Sequence, residues 1–202
     1  MEITEEHVEY AVVDRLREML NDAREPYKVT AAYAFFTAIL CWSAQRMRTQ
    51  LNGNDSAADI AAKQLWDGLE ADAIINRPWN MRIEASKVSD IQYGRLRQSA
   101  VASVDFRDHT VARFIENLRN AVAHGDARNV RPFNHKGKLV GFEFHCVEKK
   151  KNKITWSGKV VLLGSDMVRV ADEIASRFCR EMEAASKKSH LKADAETIGE
   201  AA

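Results

Sequence analysis

Cysteine is scarce here and badly placed for cross-linking. The 202-residue chain holds three, Cys41, Cys146 and Cys179, far apart and without CxxC or Cys/His spacing. An odd, scattered set suggests neither a disulfide framework nor a zinc site, so each is expected to be a core thiol. A long apolar run is also missing. The longest, from Val29 to about Met47, is interrupted by Thr30, Thr37, Ser43, Gln45 and Arg46, and it falls short of the roughly 20 apolar residues a membrane span needs. It reads as a central buried helix, and no membrane partner is expected. The opening MEITEEHVEY is acidic and has no basic stretch ahead of an apolar core, so no secretory signal is expected and the cytoplasm is the expected compartment. Net charge of one sign is almost absent, at +1, which argues against a protein that coats nucleic acid indiscriminately. No internal repeat is visible.

What is present is enough apolar residue, 46%, for one good core and a single domain over residues 1–185. A small, polar stretch from 186 to 202 has no apolar face to dock and is expected to be a flexible tail. Charge is unevenly spread. Glu2, Glu5, Glu6, Glu9, Asp14, Glu18, Asp22 and Glu25 make the first helix acidic, whereas Arg128, Arg131, Lys136, Lys138, Lys149, Lys150, Lys151, Lys153 and Lys159 face only Glu143 and Glu148 in sequence.

Periodicity predicts a mainly α chain with one hairpin. Helices are expected from about Thr4 to Ala23, Val29 to Thr49 and Asp55 to Leu69, with Asn52-Gly53-Asn54 supplying a break and caps. Residues 70–103 carry a turn at Arg77-Pro78-Trp79-Asn80 and no clear period, so the pieces on either side read as short helices or loops. A strongly amphipathic helix starts after Asp105 or Asp108 and ends at His124. Val140, Phe142, Phe144 and Cys146 then alternate, as do Ile154, Trp156, Val160 and Leu162, which reads as a hairpin with one buried face and its tip at Lys149–Lys153. A last helix begins near Ser165, with Met167, Val168, Ala171, Ile174 and Phe178 at helical spacing.

The helix ending at His124 carries the string Arg119-Asn120-Ala121-Val122-Ala123-His124, followed by Gly125. Taking roughly 100° per residue, Val111, Phe114, Ile115, Leu118, Ala121 and Val122 form an apolar arc, with Arg113, Glu116, Asn117, Asn120 and Ala123 opposite. Arg119 and His124 flank the polar face, and a flexible arginine can lean across Asn120. A phosphate-sized anion there would meet guanidinium, amide and the one side chain that titrates near neutral pH. The same residues also read as simple C-terminal capping, with Gly125 as an ordinary C′ glycine.

RNAVAH followed by glycine resembles the signature of the HEPN superfamily: Arg, a polar residue, three variable positions and His near the end of a late helix. The order of elements is similar to a small bacterial, often plasmid-borne branch in which a β-hairpin is inserted before the last helix of a helical bundle. The resemblance implies a metal-independent endoribonuclease that acts as a homodimer, without a cofactor, often as a toxin or anti-phage effector, with RNA as substrate and, in toxins, an antitoxin protein as partner. HEPN toxins paired with a nucleotidyltransferase antitoxin usually carry a Tyr two positions after the His, the residue that is modified; here that position is Asp126, which speaks against that mode of regulation. Asp126 itself reads as a cap or an arginine partner.

In such a reaction RNA supplies its own nucleophile, the 2′-OH. The enzyme helps to deprotonate it, neutralises the phosphorane and protonates the departing 5′-oxygen. His124 is the candidate acid/base, Arg119 the stabiliser of phosphoryl charge, and Asn120 the group that orients imidazole or phosphate. One His per chain is a thin set, and a two-fold dimer would supply two. Arg128, Arg131, Lys149, Lys150 and Lys151 are candidate RNA contacts; the lysine run reads equally as a solvated hairpin tip. His109 is expected to be exposed, and His7, His135, His145 and His190 have no catalytic partner visible in sequence. Trp42, Trp66, Trp79 and Trp156 read as core or interface. A non-catalytic nucleotide- or RNA-binding module, or a protein-interaction module, is the alternative class.

Overall fold

Apolar residues at helical spacing form α1 (Val8–Asn21), α2 (Lys28–Met47) and α3 (Ala57–Ala71) in the computed structural model, which describes residues 8–22, 27–53, 55–79, 81, 100–102, 106, 108–124 and 128–200. α2 is the central helix that its composition predicts. Phe36, Ile39, Leu40, Ala44 and Met47 recur every three to four residues and are all buried. The one polar residue on that face, Ser43, donates its hydroxyl to the Ile39 carbonyl at 2.6 Å.

The break before α3 is at Asn52-Gly53, whose N–H groups both donate to the Asp55 carboxylate at 2.8 Å. The cap, however, is Ser56. Its hydroxyl accepts from Asp59 N–H at 3.1 Å while the Asp59 carboxylate accepts from Ser56 N–H at 2.9 Å, a reciprocal capping box. Asn54 lies outside the described residues, as do the predicted first turn before Val8 and residues 82–99.

The expectation of a mainly α bundle, all-helical apart from one inserted hairpin, is overturned. Helices share the fold with a four-stranded antiparallel sheet in the order β1-β4-β3-β2, built from β1 (Ala100–Ala102), β2 (Val130–His135), β3 (Lys138–Lys150) and β4 (Lys153–Leu163). The predicted hairpin is β3–β4, with Phe144, Cys146, Val160 and Leu162 buried on one face as expected and Phe142 and Trp156 partly buried, whereas Ile154, expected with them, is exposed near the tip. β2 gives little sequence signal because Val130 and Phe133 do not alternate and Pro132 interrupts them. It forms because it lies at the sheet edge, where a residue lacking an N–H is tolerated. β1 is three residues long and emerges from the stretch without a period.

Two-residue turns tie the meander together. Lys136 and Gly137 (φ 47° and 75°) join β2 to β3, and Lys151 and Asn152 (φ 49° and 63°) join β3 to β4. Positive φ at both central residues is the geometry whose twist suits a two-residue hairpin.

The buried sheet face packs against α2, with Tyr33 stacked on Phe142 at 4.1 Å and Phe36 edge-on to Phe144 at 6.0 Å. α4 (Val111–Ala123) lies against β3, and α5 (Gly164–Glu200) closes the core through Met167, Ala171, Ile174 and Phe178. The α5 backbone stays helical past residue 186, through the segment that composition marks as a tail. Cys146 and Cys179 are buried thiols, each pushed by burial to a pKa of about 12. Among the described residues, no helix is long and apolar enough to cross a membrane.

Candidate functional site

Local chemistry starts and stops α4. Thr110, two residues after Asp108, caps it by accepting Arg113 N–H at 3.2 Å, and His124 is its C-cap. Gly125 and Asp126 lie outside the described residues. Of the predicted apolar arc, Val111, Phe114, Ile115, Leu118 and Ala121 are buried, and Val122 is partly buried against the core.

The polar side of α4 is not uniformly open. Arg113 grips Glu148 of β3 with two bonds, Nε to Oε1 at 2.7 Å and Nη2 to Oε2 at 2.9 Å, while Asn117 Nδ2 donates to Oε1 at 2.8 Å. Asn117, expected on the open face, is therefore buried at 2% exposure. The Arg113 guanidinium, more than any other group, holds the Glu148 carboxyl below its ordinary pKa. His109 is likewise not exposed. It is 2% exposed, with its ring 4.8 Å from Phe106 and 4.7 Å from Trp156, and Nε2 lies 3.9 Å from Glu148 Oε1. Arg113 also sits 5.7 Å over the Trp156 ring.

One turn further along, the helix opens. A groove of about 430 Å³ runs between the end of α4 and β3, lined by Asn120, Ala121, His124, Asn129, His145, Val147, Lys149 and Ile154. It adjoins a second depression of about 370 Å³, with Asn120, Val147 and Lys149 common to both. The groove exists because β2 begins only at Val130. The His145 N–H donates to the Asn129 carbonyl at 2.7 Å, and beyond that point β3 has no β2 residue beside it.

The predicted site residues divide. Asn120 and His124 meet in the groove, and His124 is exposed. Arg119 leans over Asn120 as anticipated, Nη1 to Oδ1 at 3.2 Å, but its other arm goes to Gln45 Oε1 of α2 at 3.1 Å, and Arg119 does not line the groove. Its charge is felt at Cys41 of α2, where it opposes the upward push of burial on the thiol pKa. Lys149 is the candidate RNA contact that lines the groove, whereas Lys150 and Lys151 are exposed at the hairpin tip and Arg128 and Arg131 are exposed outside it.

His145 was missed. Nothing in its local sequence marks it, since its only relation to the motif is that β3 crosses the end of α4. Its pKa is lowered, by burial first, then by Lys159, with a further cationic push from Arg131 and an opposing one from Glu143. Gln45 and Glu148, which steer Arg119 and close off the first part of α4, were missed for the same reason. His7 and the His190 side chain lie outside the described residues. Trp66 and Trp79 are core residues, Trp156 is partly buried against the core, and Trp42 is exposed. Among the described residues, no group of three or more His, Cys, Asp or Glu side chains is arranged to hold a metal ion. No family model, curated protein or solved structure matches the chain.

Proposed function

We propose that the chain is a metal-independent endoribonuclease of the HEPN type that RNAVAH resembles, acting in the cytoplasm as a toxin or anti-phage effector. The observation that carries the reading is the meeting of Asn120, His124 and Lys149 in one open groove, with Arg119 bonded onto Asn120 at 3.2 Å. Such a groove offers a phosphodiester an amide, an imidazole and an ammonium together, which is the donor set that developing phosphorane charge requires.

A symmetric homodimer belongs to this proposal, since the resemblance implies one, and so does a protein partner that restrains the activity. Incubation of the purified chain with RNA in excess EDTA tests the core of it. The expected outcome is cleavage leaving 2′,3′-cyclic phosphate ends, with DNA spared. RNA retained but intact would make the chain a binding module, and neither binding nor cleavage would make it an interaction protein. Loss of cleavage on chelation would overturn the metal-independent chemistry.

A further inference from the structure

We infer that His145 is the second proton-transfer group of this site, so that a single chain holds both the base and the acid. The inference rests on the ribonuclease reading above and deepens it. His124 arrives at the groove from the end of α4 and His145 from the middle of β3, two elements that share no sequence relation. Lys149, two pairs of residues further along the same strand, lines the groove with them.

Two imidazoles in one groove complete the arithmetic of the reaction. The 2′-oxygen bonds to phosphorus and its proton passes to one neutral ring. The P–O5′ bond breaks, and the other ring, protonated, delivers its proton to the departing oxygen. A 2′,3′-cyclic phosphate and a 5′-hydroxyl result, with both rings restored by exchange with water.

The surroundings assign the roles. His145 is half-buried, and the charged groups around it are Lys159 of β4, Arg131 of β2 and Glu143 of its own strand, with the Lys149 ammonium and the titratable His124 ring also lining the groove. Burial and the net cationic surroundings favour the neutral ring. A neutral ring takes the 2′ proton. His145 is therefore the base and His124 the acid.

The test compares His145→Asn with His124→Asn on ordinary RNA and on RNA with sulfur replacing the bridging 5′-oxygen at the scissile bond. A thiolate leaves without protonation. Both variants are expected to lose about 10²- to 10⁴-fold on ordinary RNA, and only His124→Asn is expected to recover on the sulfur substrate. Circular dichroism and a melting curve check the fold, and His145→Gln serves if the Asn variant is unfolded. Mixing the His124→Asn and His145→Asn chains is expected to restore no activity.

Folded His145 variants that cleave at the wild-type rate overturn the assignment while leaving the ribonuclease reading intact. Recovery of His145→Asn on the sulfur substrate reverses the roles and overturns the assignment of the base. Recovery on mixing shows a pair shared between subunits and overturns the single-chain pair. A wild-type chain that leaves RNA whole removes the ribonuclease reading and this inference together.

Discussion

The first and last turns of α4 belong to one polar stripe and have opposite fates. Toward the start, Arg113 and Asn117 meet Glu148, and their donors are satisfied by a single carboxylate of β3. Toward the end, Asn120 and His124 line a groove with His145 and Lys149, and among the described residues no carboxylate lines it with them. An acid opposite a basic stripe makes a structural clamp, whereas basic groups opposite basic groups leave a place for an anion. One strand supplies both partners. Glu148 and Lys149 are neighbours in sequence, and the register irregularity of the β3–β4 pairing falls between them, as expected of a bulge that re-aims side chains.

The largest effect should come at the open end. Replacing His124 with Ala is expected to lower RNA cleavage by about 10²- to 10⁴-fold while circular dichroism and RNA binding stay near wild type, because the exposed ring contributes nothing to the core. An unfolded His124→Ala chain would instead make this end a clamp like the other.

Arg119→Ala should cost less, roughly tenfold to a hundredfold in kcat/KM, and should weaken binding as well as turnover, since a cation acts on bound phosphate and transition state alike. Gel-shift titration beside a cleavage assay separates the two. Turnover lost with binding unchanged would show that Arg119 acts only through Asn120.

At the closed end the expected loss is of stability. Glu148→Ala leaves buried Asn117 without its acceptor and Arg113 without its partner. About 1–3 kcal/mol is expected, toward the lower end because Arg113 is 41% exposed at its side chain and well solvated. Urea denaturation measures it. The pH dependence has the matching sign. The Glu148 pKa is depressed in the folded state, so its stabilisation is present above the ordinary glutamate range and is lost as pH falls through the lower, folded value. A wild-type midpoint that falls below about pH 4, and a smaller fall in Glu148→Gln, would show this clamp at work.

The smallest effect should be at the hairpin tip. Changing Lys149, Lys150 and Lys151 together to Gln is expected to lower RNA affinity about equally for all sequences and to make its salt dependence shallower by about 2 in slope, at roughly 0.7 per phosphate contact on a single strand. Lys149→Gln alone should account for the part due to the groove. An unchanged slope would return Lys150 and Lys151 to a solvated turn.

Local pattern was enough for much of this molecule. The apolar spacing of α2 and α4, the alternation Phe142, Phe144, Cys146 against Val160 and Leu162, and the RNAVAH string at a helix end are all legible because each depends on residues close in sequence. Where local pattern fell silent, long-range pairing decided. β2 holds a proline and no alternation, and exists only because β3 offers it an edge. His109 looks like an exposed residue at a helix start until Phe106 and Trp156 close over it. Arg119 points where Gln45, 74 residues earlier, lets it. By itself, the sequence determined where the core-packing helices and the long hairpin lie and which helix end carries Asn120 and His124, though not that α5 continues past residue 186, since periodicity and capping are short-range effects. Only the tertiary structure decided that Glu148 seals one part of that helix while His145 joins His124 in the other, because which side chains share a groove is set by how a strand crosses a helix, and no short-range pattern encodes that crossing.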